Sequence, residues 1–295
     1  VQFLKGHGTR NDFVILPDHD GRCDVTPGMV QVLCDRRGGI GGDGLLRVAP
    51  TESVSEVADQ ADKARWFMDY RNADGSVAEM CGNGVRVFAR YLVMTGLEDA
   101  GTIAVATRGG VKIVEVPVAG DIAVDMGVPE LLDLGELTVS AGERSWTGIG
   151  ISMGNPHVVV PVADLADAGP LLERPRVDPP GAFPDGVNYE FVLGRGPRRI
   201  AMRVHERGVG ETPSCGTGIC AAAAAAAQWW SPPRPFAYDV DVPGGRLRVA
   251  EQADGSVVLS GPAEIVASGE IDDQWLTAHV AAHVAAHAPA RPLAR

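Results

Sequence analysis

Two segments of this chain open in the same way, and between them they constrain what it can fold into. AEMCGNGVRVFARYL, around Cys81, and TPSCGTGICAAAAAAA, around Cys215, each place Cys-Gly-x-Gly directly before an apolar helical run. The first run predicts a helix over 82–94, stopped at Gly96. The second predicts one over 216–230, stopped at Pro232. The copies lie about 130 residues apart, so the chain reads as two related halves, each presenting one cysteine at a helix N-terminus.

Short β-type runs separated by glycine and proline surround these helices. In the first half they are Phe13–Leu16, Leu45–Val48, Trp66–Tyr70, Ile103–Thr107, Val111–Val118 and Ile122–Asp125. The second series begins near Leu137 and includes His157–Val160, Val187–Leu193, Ile200–His205, Leu247–Val249 and Val257–Ser260. Thr26 before Pro27 is an N-cap with proline at the first helical position, predicting a short helix through Cys34. The polar stretch 51–65 reads as a surface insertion or short helix, and 171–185 as a long proline-rich loop. The fold class is α+β: two pseudo-symmetric domains, each a mostly antiparallel sheet wrapped round a central helix. The Gly/Pro/Asp-rich stretch 118–133 holds the boundary, giving domains at 1–125 and 126–262, with 276–295 as a tail.

The paired motifs permit a defined chemistry. Unpaired amides and the positive helix end favour a thiolate at each cysteine. The glycines that follow let a ligand approach the backbone, whose amides can hold a carboxylate. Two such ends facing each other suit proton removal from one face of an α-carbon and delivery to the other. Carbanion charge moving onto the carboxylate then meets preorganised amides. No lysine lies in a motif suggesting a Schiff base with pyridoxal phosphate, so the expected mechanism is cofactor-free, with no metal.

Bulk properties narrow the partners. A net charge of -12 argues against a general nucleic-acid binder. No stretch approaches the roughly 20 apolar residues of a membrane helix. The opening VQFLKGHGTRNDF lacks the apolar core of a signal peptide, so the expectation is a soluble cytoplasmic protein. Five cysteines without C-x-x-C spacing form neither a disulfide framework nor a zinc site; Cys23, Cys34 and Cys220 read as structural thiols. GIGGDG at 39–44 satisfies a dinucleotide fingerprint but follows Asp35, Arg36 and Arg37 rather than a buried strand, so it reads as a turn bringing Asp43 near the site. His279, His283 and His287 recur every four residues, and are read as incidental to an exposed, frayed tail.

The chain resembles the bacterial diaminopimelate epimerases, with an actinobacterial flavour, over roughly 3–275. The resemblance is carried by KGHGTRNDF (5–13), DRRGGIGGDG (35–44), DYRNADGSVAEMCGNGVR (69–86), MGNPH (153–157), FPDGVNYE (183–190), VHERGVGETPSCGTG (204–218) and VPGG (242–245). It implies epimerisation of LL-2,6-diaminopimelate to the meso form, in lysine and peptidoglycan precursor biosynthesis, with Cys81 and Cys215 as the two bases. Relatives suggest that Cys81 takes the proton from the LL form. Gly82, Asn83, Gly216 and Thr217 would cradle the reacting carboxylate. Asn11, Asn72, Asn155, Asn188 and Arg207 would read the rest of the substrate, and His157 and Glu206 would hold the reacting amine. The resemblance also implies a homodimer and a last strand, within 263–275, that returns to the first domain. A proline racemase or hydroxyproline epimerase on the same fold is the nearest rival, but it has one carboxylate to bind and no distant amino acid to read. A non-catalytic binding protein and a thiol oxidoreductase are the rivals from other classes.

Overall fold

The computed structural model describes residues 1–287. The first half runs β1 (Gln2–Gly8), β2 (Asn11–Pro17), α1 (Pro27–Cys34), β3 (Gly44–Pro50), β4 (Trp66–Asn72), α2 (Gly82–Met94), β5 (Gly101–Ala106), β6 (Lys112–Val116) and β7 (Ile122–Asp125). The second opens with β8 (Glu130–Ala141), β9 (Arg144–Ser152), β10 (Pro156–Pro161), β11 (Arg176–Asp178), β12 (Asn188–Gly196) and β13 (Arg199–Glu206). It continues through β14 (Gly210–Thr212), α3 (Gly216–Trp230), β15 (Ala237–Val242), β16 (Gly245–Glu251) and β17 (Val257–Gly261). The chain then adds β18 (Glu264–Glu270) and α4 (Asp273–His287).

Strand pairing makes the internal symmetry explicit. Along β18-β1-β2-β3-β4-β5-β6-β7, only β2–β3 and β4–β5 are parallel; the other neighbours are antiparallel. Along β8-β9-β10-β12-β13-β15-β16-β17 the same two positions, β10–β12 and β13–β15, are the parallel ones. A parallel pair needs a crossover, and the second parallel step of each half is spanned by its long helix. The two series join edge to edge through antiparallel β7–β17.

Each long helix sits inside its own sheet. α2 packs against every strand of its series, and α3 against β9, β10, β12, β13, β15, β16 and β17. Small side chains let α3 lie close to those strands: Ala221–Ala223 and Ala225–Ala227 are buried. One apolar core runs through both halves, from Phe13 and Phe88 to Ile219 and Tyr238.

The outer sheet faces are covered differently. In the second half, the excursion before β12 supplies Leu171, Phe183 and Val187 over Val158, Val160 and Phe191. In the first, α1 and α4 close over Val14, Leu16 and Leu45, with Met29, Leu33 and Leu276 buried between them. The tail read as frayed is therefore corrected over 273–287. It is a docked helix, because Leu276, Trp275 and Val280 find an apolar partner surface on α1. His283 meets Gln31 there, and His279 stacks on Trp275. Residues 288–295 lie outside the described residues. The stretch 51–65 forms short 3-10 turns. No described helix is long and apolar enough to cross a membrane.

Candidate active site

The long helices meet at their N-termini. A methyl group placed on Gly216 would stand 3.2 Å from Gly82 Cα, and one on Gly82 would stand 3.5 Å from Gly216 Cα. At Gly216 the added methyl would press on backbone, so glycine is needed there for the two helix ends to lie this close, whereas at Gly82 its tightest neighbour is the Met126 side-chain end at 3.1 Å. Cys81 and Cys215 are the N-cap residues of these abutting helices, both in extended backbone.

The Cys81 thiol receives the Gly84 amide at 3.4 Å and points to Asn11 Oδ1 at 3.6 Å. Asn83 Nδ2 donates to the same Asn11 oxygen at 3.2 Å and to the Ser214 carbonyl at 3.0 Å, tying the two motifs together. Asn11 is held in turn by Asp43 Oδ2 at 2.9 Å, so the GIGGDG turn does bring Asp43 to the site. Asn72 accepts from the Tyr70 hydroxyl at 2.7 Å.

On the other side Cys215 Sγ lies 3.6 Å from Thr217 Oγ1, which accepts from Asn155 Nδ2 at 3.4 Å. Asn155 Oδ1 lies 3.0 Å from His157 Nε2, and His157 Nδ1 lies 2.7 Å from Glu190 Oε1. Either the Glu190–His157 ion pair or its neutral form leaves a hydrogen on Nε2, because Asn155 Oδ1 can only accept. Asn188 spans the Pro156 carbonyl and the Arg207 amide, at 3.1 and 2.9 Å. The Arg207 side chain is exposed and reaches the Asp185 carbonyl at 3.1 Å. Glu206 accepts from Thr212 Oγ1.

The diaminopimelate epimerase family model matches residues 3–132 and 149–266. The chain belongs to the diaminopimelate epimerase family. The diaminopimelate epimerase of Streptomyces coelicolor is 56% identical over 286 residues, covering 95% of this chain and 99% of the relative. That of Corynebacterium glutamicum is 46% identical over 278 residues, covering 92% and 98%. Among solved structures, a Bacillus anthracis phenazine biosynthesis protein of the PhzF family aligns with a TM-score of 0.65 at 17% identity, covering 92% of this chain and 98% of that one. A hydroxyproline epimerase from Agrobacterium vitis aligns at 0.61 and 14%, covering 91% of each. At those identities the likeness is one of fold.

Electrostatics in this family member depart from what the helix ends alone suggest. Burial pushes the Cys81 thiol up to about 11, although the Gly84 amide opposes it. Burial pushes Cys215 further, reinforced by the nearby charges of Glu206 and Glu190. Desolvation of a thiolate outweighs the hydrogen bonds from the first-turn amides here. Burial likewise raises Glu206 and Glu190 above the usual carboxylate range.

These contacts link Asn11, Cys81, Gly82 and Asn83 of the first half and Asn155, His157, Cys215, Gly216 and Thr217 of the second, with Glu206 near Cys215. Asn188 joins Pro156 to Arg207, whose side chain turns to Asp185. Asn72 points to Tyr70 and Ser76. Sequence reasoning assigned no role to Glu190 or Arg86, though both lie inside quoted motifs. A charged residue at an inward strand position, Glu190 between Tyr189 and Phe191, was the available signal.

Proposed function

We propose that this chain interconverts LL- and meso-2,6-diaminopimelate through two cysteines acting on opposite faces of one α-carbon. The observation that carries the reading is the Gly82–Gly216 contact, which sets two N-cap cysteines at the abutting starts of two helices. One sulfur, as thiolate, takes the α-proton; the opposite thiol gives its proton to the other face. The turnover leaves the two protonation states exchanged, and the reverse reaction restores them.

First-turn amides supply the stabilisation the carbanion needs. The N–H groups of Gly82 and Asn83, and of Gly216 and Thr217, have no i−4 carbonyl within their helices. Aimed at the reacting carboxylate, such donors contribute about 3 kcal/mol each. A substrate ammonium beside Glu206 would offset the burial that holds both thiols protonated. Asn11, Asn72, Asn155 and Asn188, with Arg207, read the distal amino acid, whose ammonium and carboxylate require both donors and acceptors. The same reading makes 1–125 and 126–262 the two domains, with 263–275 returned to the first. It also places a homodimer in the cytoplasm, testable by sedimentation.

The test is α-deuterium uptake from heavy water into LL-diaminopimelate by reduced protein, with L-proline in parallel. Uptake with diaminopimelate alone is expected, lost in Cys81→Ala and in Cys215→Ala. Uptake with proline alone moves the chain to the rival activity, and uptake with neither removes the catalytic reading.

A further inference from the structure

The two halves match in backbone but not in charge. Five residues after Cys81 stands Arg86; five after Cys215 stands Cys220. A methyl group on Gly84 would meet Leu46, on β3, at 3.3 Å. On the corresponding Gly218 it would meet Glu190, on β12, at 2.7 Å. Phe13, paired with the start of β3, likewise stands where His157 pairs with the start of β12. The surroundings of Cys81 thus hold apolar Phe13 and Leu46 with a cation, and those of Cys215 hold His157 and Glu190.

Arg86 has 0% exposure. Its Nη1 donates to the Gly82 carbonyl at 3.2 Å and its Nη2 to Asn83 Oδ1 at 2.9 Å, with longer contacts to Thr9 Oγ1 and the Pro262 carbonyl. Every partner is neutral, and among the described residues no carboxylate pairs with it. Arg47, also buried, lies against Asp18 and Asp69. A buried, unmatched guanidinium is costly. Its cost falls when an anion forms nearby, and the residue next to Gly82 is Cys81.

We propose that Arg86 is a positioning residue for the epimerase reaction, its unmatched buried charge making Cys81 the thiol of the pair that ionises more readily. This rests on the two-cysteine reading. Other charges bear on the pair: Glu206 opposes ionisation of both cysteines, and Tyr70 lies near both. Glu190 opposes ionisation of Cys215 and is itself countered by His157. Asp121 is a remote carboxylate toward Arg86. Cys220 also feels Arg86, but burial holds it at about 12, so it does not take the anion's place.

The test is the pH dependence of iodoacetamide labelling, read separately at Cys81 and Cys215 by peptide mass spectrometry, beside the pH profile of kcat/KM. In Arg86→Gln the Cys81 midpoint should rise by about 1 pH unit or more, while Arg86→Lys stays near wild type. Should Arg86→Gln fail to fold, Thr9→Asp sets a carboxylate against the intact guanidinium, with Thr9→Asn as the uncharged control. Thr9 lies at φ 50°, which both residues tolerate. The Asp variant alone should raise the Cys81 midpoint. A midpoint that ignores the charge on Arg86, or moves equally in Arg86→Lys and Arg86→Gln, overturns the proposal. If that happens while Cys81→Ala and Cys215→Ala abolish turnover, the proposal fails and the two-cysteine reading stands. If the midpoint follows the charge but Cys81→Ala still epimerises, the two-cysteine reading fails, and Arg86 loses its part in the reaction with it.

Discussion

Thr217 shows how much of this site hangs on single hydrogen bonds. Its hydroxyl links Cys215 to Asn155, and through Asn155 to the buried His157–Glu190 pair. Thr217→Val keeps the shape and removes that link, worth about 1 kcal/mol. Steady-state kinetics should show kcat reduced about fivefold, and chemical denaturation a loss of stability of about 1 kcal/mol. Asp12 illustrates a different residue-level effect. Burial works to raise its carboxyl, but Arg36 and Lys5 beside it prevail and hold it below the usual range. A lowered folded-state value gives stability that is full above the unfolded value near 3.9 and lost as pH falls through the folded value. Denaturant titrations across the acid range should therefore show a shallower loss of stability in Asp12→Asn than in the native chain.

At the scale of elements, the helix contact is the sensitive point. Gly216→Ala sets a methyl group against Gly82 Cα, a backbone atom, so α2 and α3 must separate by a few tenths of an ångström. Reaction geometry is steep in such displacements, and kcat should fall by about tenfold to a hundredfold while circular dichroism stays native. Elements far from the seam behave otherwise. Leu276→Ala in α4 should cost about 2–4 kcal/mol in chemical denaturation without changing the activity of the folded fraction. Legibility in the sequence follows the same division. The helices α1, α2 and α3 were readable because Thr26-Pro27 and the two Cys-Gly starts are local signals. β1, with KGHG inside it, and α4, whose apolar residues are mostly alanine, were not; each is made by a partner far along the chain, β18 or α1. In the site, the cysteines and asparagines are marked by their Cys-Gly and Asn-containing motifs, whereas the partners of Glu190 and Arg86, His157 on a neighbouring strand and only neutral groups round the guanidinium, are set by packing within each half.

For the whole molecule, entry of substrate is the issue. Cys215 is 7% exposed, and His157 and Asn188 are buried with it. A parting of the halves would admit a diamino diacid to these groups. The seam available for that movement is narrow: β7–β17 on one side and the two helix starts on the other. Small-angle scattering of reduced protein should show a smaller radius of gyration when saturated with diaminopimelate. Superimposable curves would count against such closure.

The β1–β18 pairing carries a consequence for synthesis. A ribosome releases β1 well before the strand that completes its edge, because the entire second half lies between them. β7 waits almost as long for β17. During that interval the nascent first half carries two strands with unsatisfied backbone edges, which are the places where chains of like sequence pair wrongly. The same architecture makes contact order high and folding slow. An enzyme that brings two distant cysteines together is thus also one whose maturation demands protection from its own newly made neighbours.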